Sequence, residues 1–133
     1  MPSQVAADTD LYTLEWDDDP EGFIFTWNDF SSGQRFRDGA NAGYEEFKKR
    51  PCENLIVDAS AVEAHDDAEQ QWIQEEWTPK MVDAGAYNIA TVTGDSVIAE
   101  MDAQEIMDGM DHLPHDAEIT ASLDEARDWI ARQ

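Results

Sequence analysis

Apolar and polar positions nearly alternate through Leu11-Tyr12-Thr13-Leu14-Glu15-Trp16, a pattern that predicts a half-buried strand. Gly22-Phe23-Ile24-Phe25-Thr26-Trp27 predicts a second strand, rich in aromatic and β-branched residues. The intervening Asp17-Asp18-Asp19-Pro20-Glu21 has strong turn character, so the two strands read as an antiparallel hairpin. Residues 1–10 carry no period and are expected to form a flexible arm ahead of a single domain over 11–133.

After the hairpin the period changes. Phe36, Ala40, Gly43, Tyr44 and Phe47 share one stripe of a helix that Ser31 or Ser32 can cap and Pro51 stops. Asn54-Leu55-Ile56-Val57-Asp58 is short and nearly all apolar, as strands covered on both faces are. Asp66 or Asp67 then caps a second helix with Ile73, Trp77, Met81 and Ala84 on one stripe, ended by Gly85. Pro79 lies inside that helix and is expected to kink it or to begin a new segment. Tyr87–Val92 predicts the fourth strand and Glu118-Ile119-Thr120 a short fifth. Between them Ala103, Ile106, Met107 and Met110 keep helical spacing. Ser122 with Glu125 makes a capping box for a last helix that buries Leu123, Ala126 and Ile130. The order ββαβαβαβα predicts an α/β fold: a five-stranded mixed, mostly parallel sheet with an N-terminal antiparallel hairpin and about four helices.

Charge changes the picture of where such a fold works. Thirty-one acidic residues face eight basic ones, for a formal charge of −23 in 133 residues. Disorder is excluded by a hydrophobic content of 41% and an aromatic content of 10%. The self-repulsion of so acidic a domain is relieved by concentrated salt, so the composition reads as that of a cytoplasmic protein from a salt-accumulating halophile. The start of the chain lacks the features of a signal peptide, and no apolar run reaches membrane-spanning length. Nucleic acid and anionic membrane surfaces are disfavoured as partners, because phosphates would meet a strongly negative chain. The one basic run, Lys48-Lys49-Arg50, reads as charge complementing a helix end rather than as a phosphate site.

Candidate chemistry is sparse. His112 and His115 are flanked by Asp111 and Asp116, but Pro114 separates them and no third metal ligand is assignable, so no metal and no cofactor are expected. A single cysteine, Cys52, excludes an intramolecular disulfide. His65 with Asp66 follows the third predicted strand, where open α/β sheets place their sites, and such a pair suits acid–base work. Ser60 is the nearest hydroxyl, without a nucleophile-elbow pattern, so an enzyme is not the leading expectation. Thr93-Gly94-Asp95-Ser96 reads as a turn and helix cap rather than a phosphate cradle, since a lysine is missing and Asp95 would repel an anion. Trp72 lies about 100° from Ile73 on an α-helix, off the main stripe, so it either packs in the core or presents a partner surface or pocket wall.

Several short stretches carry a likeness to a known group. They are Phe36-Arg37-Asp38-Gly39-Ala40-Asn41-Ala42-Gly43, Trp72 with Trp77 and Pro79, Asp83-Ala84-Gly85, Ile98-Ala99-Glu100-Met101 and Ser122 to Trp129. From Phe36 to Trp129 the chain resembles the STAS-like superfamily, the clan of anti-anti-sigma factors that shades into CRAL-TRIO-type domains. The resemblance implies a STAS-like fold and a non-catalytic module that binds a protein or a small ligand. Antagonists of that clan carry a phosphorylatable hydroxyl where this chain has His65-Asp66-Asp67, so a phosphorylation switch is not implied.

The leading expectation is therefore a regulatory module that binds a protein partner through the 58–67 loop (Asp58, Ser60, His65, Asp66, Asp67) and through helix two at Trp72 and Trp77. Two-fold association across the Trp72 stripe would make it a homodimer. The alternatives are a carrier of a small apolar ligand or lipid, with a pocket near Trp72 and Trp77, and a metal-dependent or acid–base enzyme using His65 and Asp66.

Overall fold

The computed structural model describes residues 4–18, 21–28, 33–50, 52–62 and 65–133. Strands β1 (Gln4–Asp8), β2 (Tyr12–Asp17) and β3 (Gly22–Trp27) pair antiparallel; β4 (Asn54–Asp58), β5 (Asn88–Val92) and β6 (Asp116–Thr120) continue from β3 in parallel. The order across this six-stranded sheet is the order along the chain. The expected hairpin is present, with Leu14 opposite Phe25 and Trp16 opposite Phe23.

Two expectations are corrected. The sheet has six strands rather than five, because Gln4–Asp8 of the supposed flexible arm is an edge strand paired with β2. An edge strand needs no apolar period: its order comes from ladder hydrogen bonds on one side, and Val5 stays 61% exposed. Thr9 turns the chain back by accepting from the N–H groups of Leu11 and Tyr12 at 3.2 and 3.0 Å. Asp17, read as the first turn residue, instead closes β2, where Arg127 Nη2 donates to its Oδ2 at 2.8 Å.

Helix α1 (Gly33–Lys49) joins β3 to β4. Helix α2 covers 67–83 in three contiguous parts, α-helical Asp67–Trp72, π-helical Ile73–Trp77 and α-helical Thr78–Asp83. Helices α3 (Val97–Asp108) and α4 (Leu123–Ala131) follow β5 and β6. Each parallel strand is added beside its predecessor in one direction, so crossovers of a single hand bring α1, α2 and α3 to the same face. That face carries Phe23, Phe25, Trp27, Leu55 and Ile89 against Phe36, Phe47, Trp77 and Met81. Ile24, Ile56, Ala90 and Val92 point the other way and meet only Ala126 and Ile130 of α4 among their fully buried neighbours. The nearly all-apolar composition of Asn54–Asp58 follows, because β4 is covered on both faces.

Small residues on α1 let it approach an aromatic sheet face. Phe25 stacks on Trp27 at 4.8 Å, and a Cβ at Gly43 would lie 2.2 Å from Phe25 Cε2. The predicted caps of α1 at Ser31 or Ser32, and its stop at Pro51, lie outside the described residues. Asp66 occupies the N-cap position of α2 but its side chain makes no capping bond. At α4, Ser122 Oγ accepts from Glu125 N at 3.2 Å while Glu125 Oε2 accepts from Ala121 N, one residue short of a reciprocal box.

The π-helical turn settles how α2 handles its two tryptophans. Five residues of α-helix would leave Trp72 and Trp77 about 140° apart. A turn closed by i→i+5 bonds, such as Thr78 N–H to the Ile73 carbonyl, stacks residues five apart instead. Both indoles are thereby buried, at 9% and 7% exposure. Pro79 follows directly; it has no N–H for the Glu75 carbonyl and begins the third part near its first turn, as expected.

Candidate functional site

Below the tryptophans, the helix layer does not fill the sheet completely. Val57 of β4, Ile89 and Thr91 of β5, and Ala117 and Ile119 of β6 floor a cavity of about 100 Å³. Ala103, Ile106 and Met107 of α3, Ile73 and Trp77 of α2, and Phe36 of α1 close it from above. The space exists because small residues meet there: Ala40, Ala59, Ala99, Ala103 and Ala117 stand where larger side chains would interdigitate. Three polar side chains of special interest share this wall, His65, Asp102 and His115.

His65 and Asp102 form a dyad. His65 Nδ1 lies 2.6 Å from Asp102 Oδ2, and the His65 backbone N–H donates to Asp102 Oδ1 at 3.0 Å. Gln70 Nε2 donates to the same Oδ1 at 2.6 Å, so the carboxylate holds the loop, α2 and α3 together. Burial pushes the Asp102 carboxyl up, but hydrogen bonds from the His65 ring, the His65 backbone and Gln70 outweigh it and hold the pKa below the ordinary value. An ionised carboxylate only accepts, so Nδ1 carries the ring proton of the dyad and Nε2 is left for another partner. The ring's edge rests on Phe36, with centroids 5.3 Å apart. The side chains of His65 and Asp102 are 12% and 7% exposed, which sets the pair at the margin of the cavity rather than in open solvent.

His115 is different. Both of its ring nitrogens are sealed from solvent, and no protein group bonds to either. Burial lowers its pKa, against the opposing pull of the Asp116 carboxylate. The unfolded chain therefore takes up a proton near pH 6.5 while the folded chain resists it, and this residue costs stability as pH falls below about 6.5. We expect His115→Leu to be at least as stable as the parent at pH 7.5, with its advantage widening in thermal melts as pH drops from 7 to 5. An advantage that stays constant over that range would show that His115 titrates alike in both states.

The sequence-derived candidates divide. Asp58, Ser60, Asp66 and Asp67 lie on the rim at the carboxyl end of β4 and the start of α2, and Asp66 and Asp67 are exposed. Asp58 Oδ1 accepts from Ser60 Oγ at 2.6 Å and from Ser60 N at 3.0 Å, so that hydroxyl is turned to its own loop. His65 was singled out with Asp66, but its partner is Asp102. Trp77 lines the cavity and donates from Nε1 to the Ala40 carbonyl at 2.8 Å. Trp72 packs on Phe36 and under the Arg37 guanidinium, so the second apolar stripe that suggested a homodimer is covered within one chain. Exposed apolar surface appears instead at Val97, Ile98 and Met101 of α3.

At the start of α3 the expected helix cap is present. Ser96 Oγ caps α3 by accepting from Ala99 N at 3.1 Å, after a turn with Gly94 at φ +66°. Lys48 and Lys49 pair with Glu45 and Glu46, and Arg50 covers the Trp16 ring at 3.7 Å, so the basic run is engaged within the chain. His112 is exposed while His115 is turned inward, and no group of three metal-ligating side chains occurs among the described residues.

Asp102 is the residue that sequence reasoning missed. It had a signal: Ala99, Ala103 and Ile106 run down the buried side of α3, and a carboxylate falls on that side beside them. In a chain with 31 acidic residues the signal is hidden, because aspartate occurs on every polar face as well. Compared with family models, curated proteins and solved structures, the chain matches none of them.

Proposed function

We propose that this domain binds a small, largely apolar molecule in the cavity between its sheet and α1–α3. The observation that carries the reading is a cavity of about 100 Å³ with a largely apolar wall that the His65–Asp102 dyad also lines. The STAS-like resemblance, which implies a non-catalytic binding module, supports the same reading. Binding is favoured over acyl transfer because Ser60 gives its proton to Asp58 rather than to His65.

Xenon tests the pocket without prejudging its ligand. An apolar cavity of about 150 Å³ in another protein takes up benzene or xenon, so a somewhat smaller one should take up xenon. Under xenon pressure in molar KCl, methyl resonances of Ile106, Met107 and Ile119 should shift saturably. Ala103→Leu, which fills the space, should weaken the effect by about tenfold or more, and Ala117→Val, a milder filling, by less. Unshifted methyls in the parent protein, or shifts that both folded variants retain in full, would remove the reading.

A further inference from the structure

We propose that the outward face of α3 docks a cationic amphipathic helix of another protein. Apolar side chains of that helix lie against Val97, Ile98 and Met101, and its lysines or arginines lie about two turns further along, against Glu105 and Asp108. None of these five residues lines the cavity, so docking here is independent of what the cavity holds.

The first half of that face is apolar where a solvated helix is polar. Val97, Ile98 and Met101 are 69%, 55% and 61% exposed, and they are three of the five exposed large apolar side chains among the described residues. Positions i, i+1 and i+4 fall within about 100° of one another on a helix, so the three form one patch. Val97 and Met101 make an i, i+4 ridge, the feature that packs into the groove of a second helix. The packing of α3 on its own domain does not use them, because its buried residues Ala99, Asp102 and Ile106 lie on the opposite side. Contiguous exposed apolar surface marks an interaction site, the more so in a chain with 31 acidic residues to spend on its surface.

Charge selects the partner. Gln104, Glu105 and Asp108 follow Val97 at i+7, i+8 and i+11, so the same face turns acidic over its last turns, and all three are exposed. Helix α3 contains no lysine or arginine, and among the described residues no ion pair reaches Glu105 or Asp108. Their hydrogen bonds come from the neutral amides of Gln70 and Gln104, which leave the charge in place. At the end of α1, by contrast, Lys48 and Lys49 pair with Glu45 and Glu46. The partial negative charge at the C-terminus of α3 adds to its two carboxylates. About 11 Å of helix separates the middle of the apolar patch from the middle of the acidic one, which a helix laid alongside covers in two turns. A second copy of this chain is the poorer occupant, since it brings a formal charge of −23 to a surface of the same sign. An anionic membrane meets the same repulsion.

The test is an NMR titration of the full chain with three synthetic, alanine-rich helical peptides. The first carries leucines at one end of a face and lysines two turns along it; the second has glutamates for the lysines; the third has the residues of the first interspersed around the helix. Roughly 1 M KCl screens the general attraction between a cationic peptide and this chain and leaves contact pairs. The first peptide should shift the amides of Val97–Asp108 saturably and bind at least about tenfold more tightly than either of the others. Ile98→Gln with Met101→Gln should weaken it by about tenfold or more, as lost apolar burial requires. Glu105→Gln with Asp108→Asn should weaken it by about two- to threefold, as for exposed charge pairs. Val97→Gln serves as a second apolar test should the double variant fold poorly. Absent shifts on α3, shifts centred elsewhere, or an affinity that the apolar variants leave unchanged would overturn the proposal. So would equal binding of the glutamate or interspersed peptide. Shifts of the same amides with protein concentration alone would assign the face to a second copy, and shifts with anionic vesicles but not with the first peptide would assign it to a membrane; either overturns the proposal.

Discussion

Asp102→Ala should lower stability by about 3 kcal/mol, the largest single-residue effect expected around the cavity. The carboxylate collects three donors from two other parts of the chain, the loop at His65 and the α2 residue Gln70. Removing it takes the acceptor away from the His65 backbone N–H and ring N–H, and each unmet buried donor costs about 1–3 kcal/mol. The figure is kept at the low end of what breaking a buried pair costs because His65 retains 12% exposure and water can reach part of it. Asp102→Asn should lose about half as much, since one oxygen survives but its amide meets the His65 ring with a donor. Urea denaturation in constant KCl is the suitable measurement, because guanidinium chloride would itself screen the charges. An Asp102→Ala midpoint within 0.5 kcal/mol of wild type, an ordinary surface effect, would show that the dyad does not hold the loop to α3.

Melting temperature should climb by about 10 °C or more between 0.1 and 2 M KCl, the equivalent of roughly 2–3 kcal/mol for a domain of this size. Eight basic residues cannot neutralise 31 acidic ones, so folding concentrates a charge of −23 into one small domain. Cations of the chain are already engaged within it: Arg37 with Glu69, Lys48 and Lys49 with α1 glutamates, Arg127 with Asp17. Only mobile counterions can relieve the remainder. At roughly 1 M salt the screening length is about 3 Å, shorter than the spacing between neighbouring carboxylates. An isosmolar sucrose series separates screening from exclusion effects, and it should raise the melting temperature much less than KCl does. A melting temperature flat in KCl would show that the repulsion is unimportant and would remove the basis for the halophilic reading.

The alternation at Leu11–Trp16, the β-rich Gly22–Trp27 and the helical stripe from Phe36 to Phe47 were enough to place the hairpin and α1. Strand β2 and α1 each bury one face, which leaves a period in the sequence, whereas β3 is buried on both faces and shows instead as a β-rich apolar run. Strand β1 left none, because it is ordered by hydrogen bonds at an edge of the sheet where Val5 stays exposed. The fate of Trp72 was equally illegible. Its place depends on a π-helical turn, and nothing in a hydrophobic pattern counts backbone hydrogen bonds five residues apart.

Local pattern and composition by themselves determined that this chain folds as α/β, where its main helices and most strands lie, and that it carries a formal charge of −23. Those properties are sums over neighbours in sequence or over the whole chain, so one-dimensional reading reaches them. The pairing of His65 with Asp102, 37 residues away, was decided only when β4, β5 and α3 came together. The inward turn of His115 and the cavity under the alanines of α3 and β6 were decided in the same step. Contacts across the helix–sheet interface depend on how far apart two elements settle, and that distance is set by side chains from every layer at once.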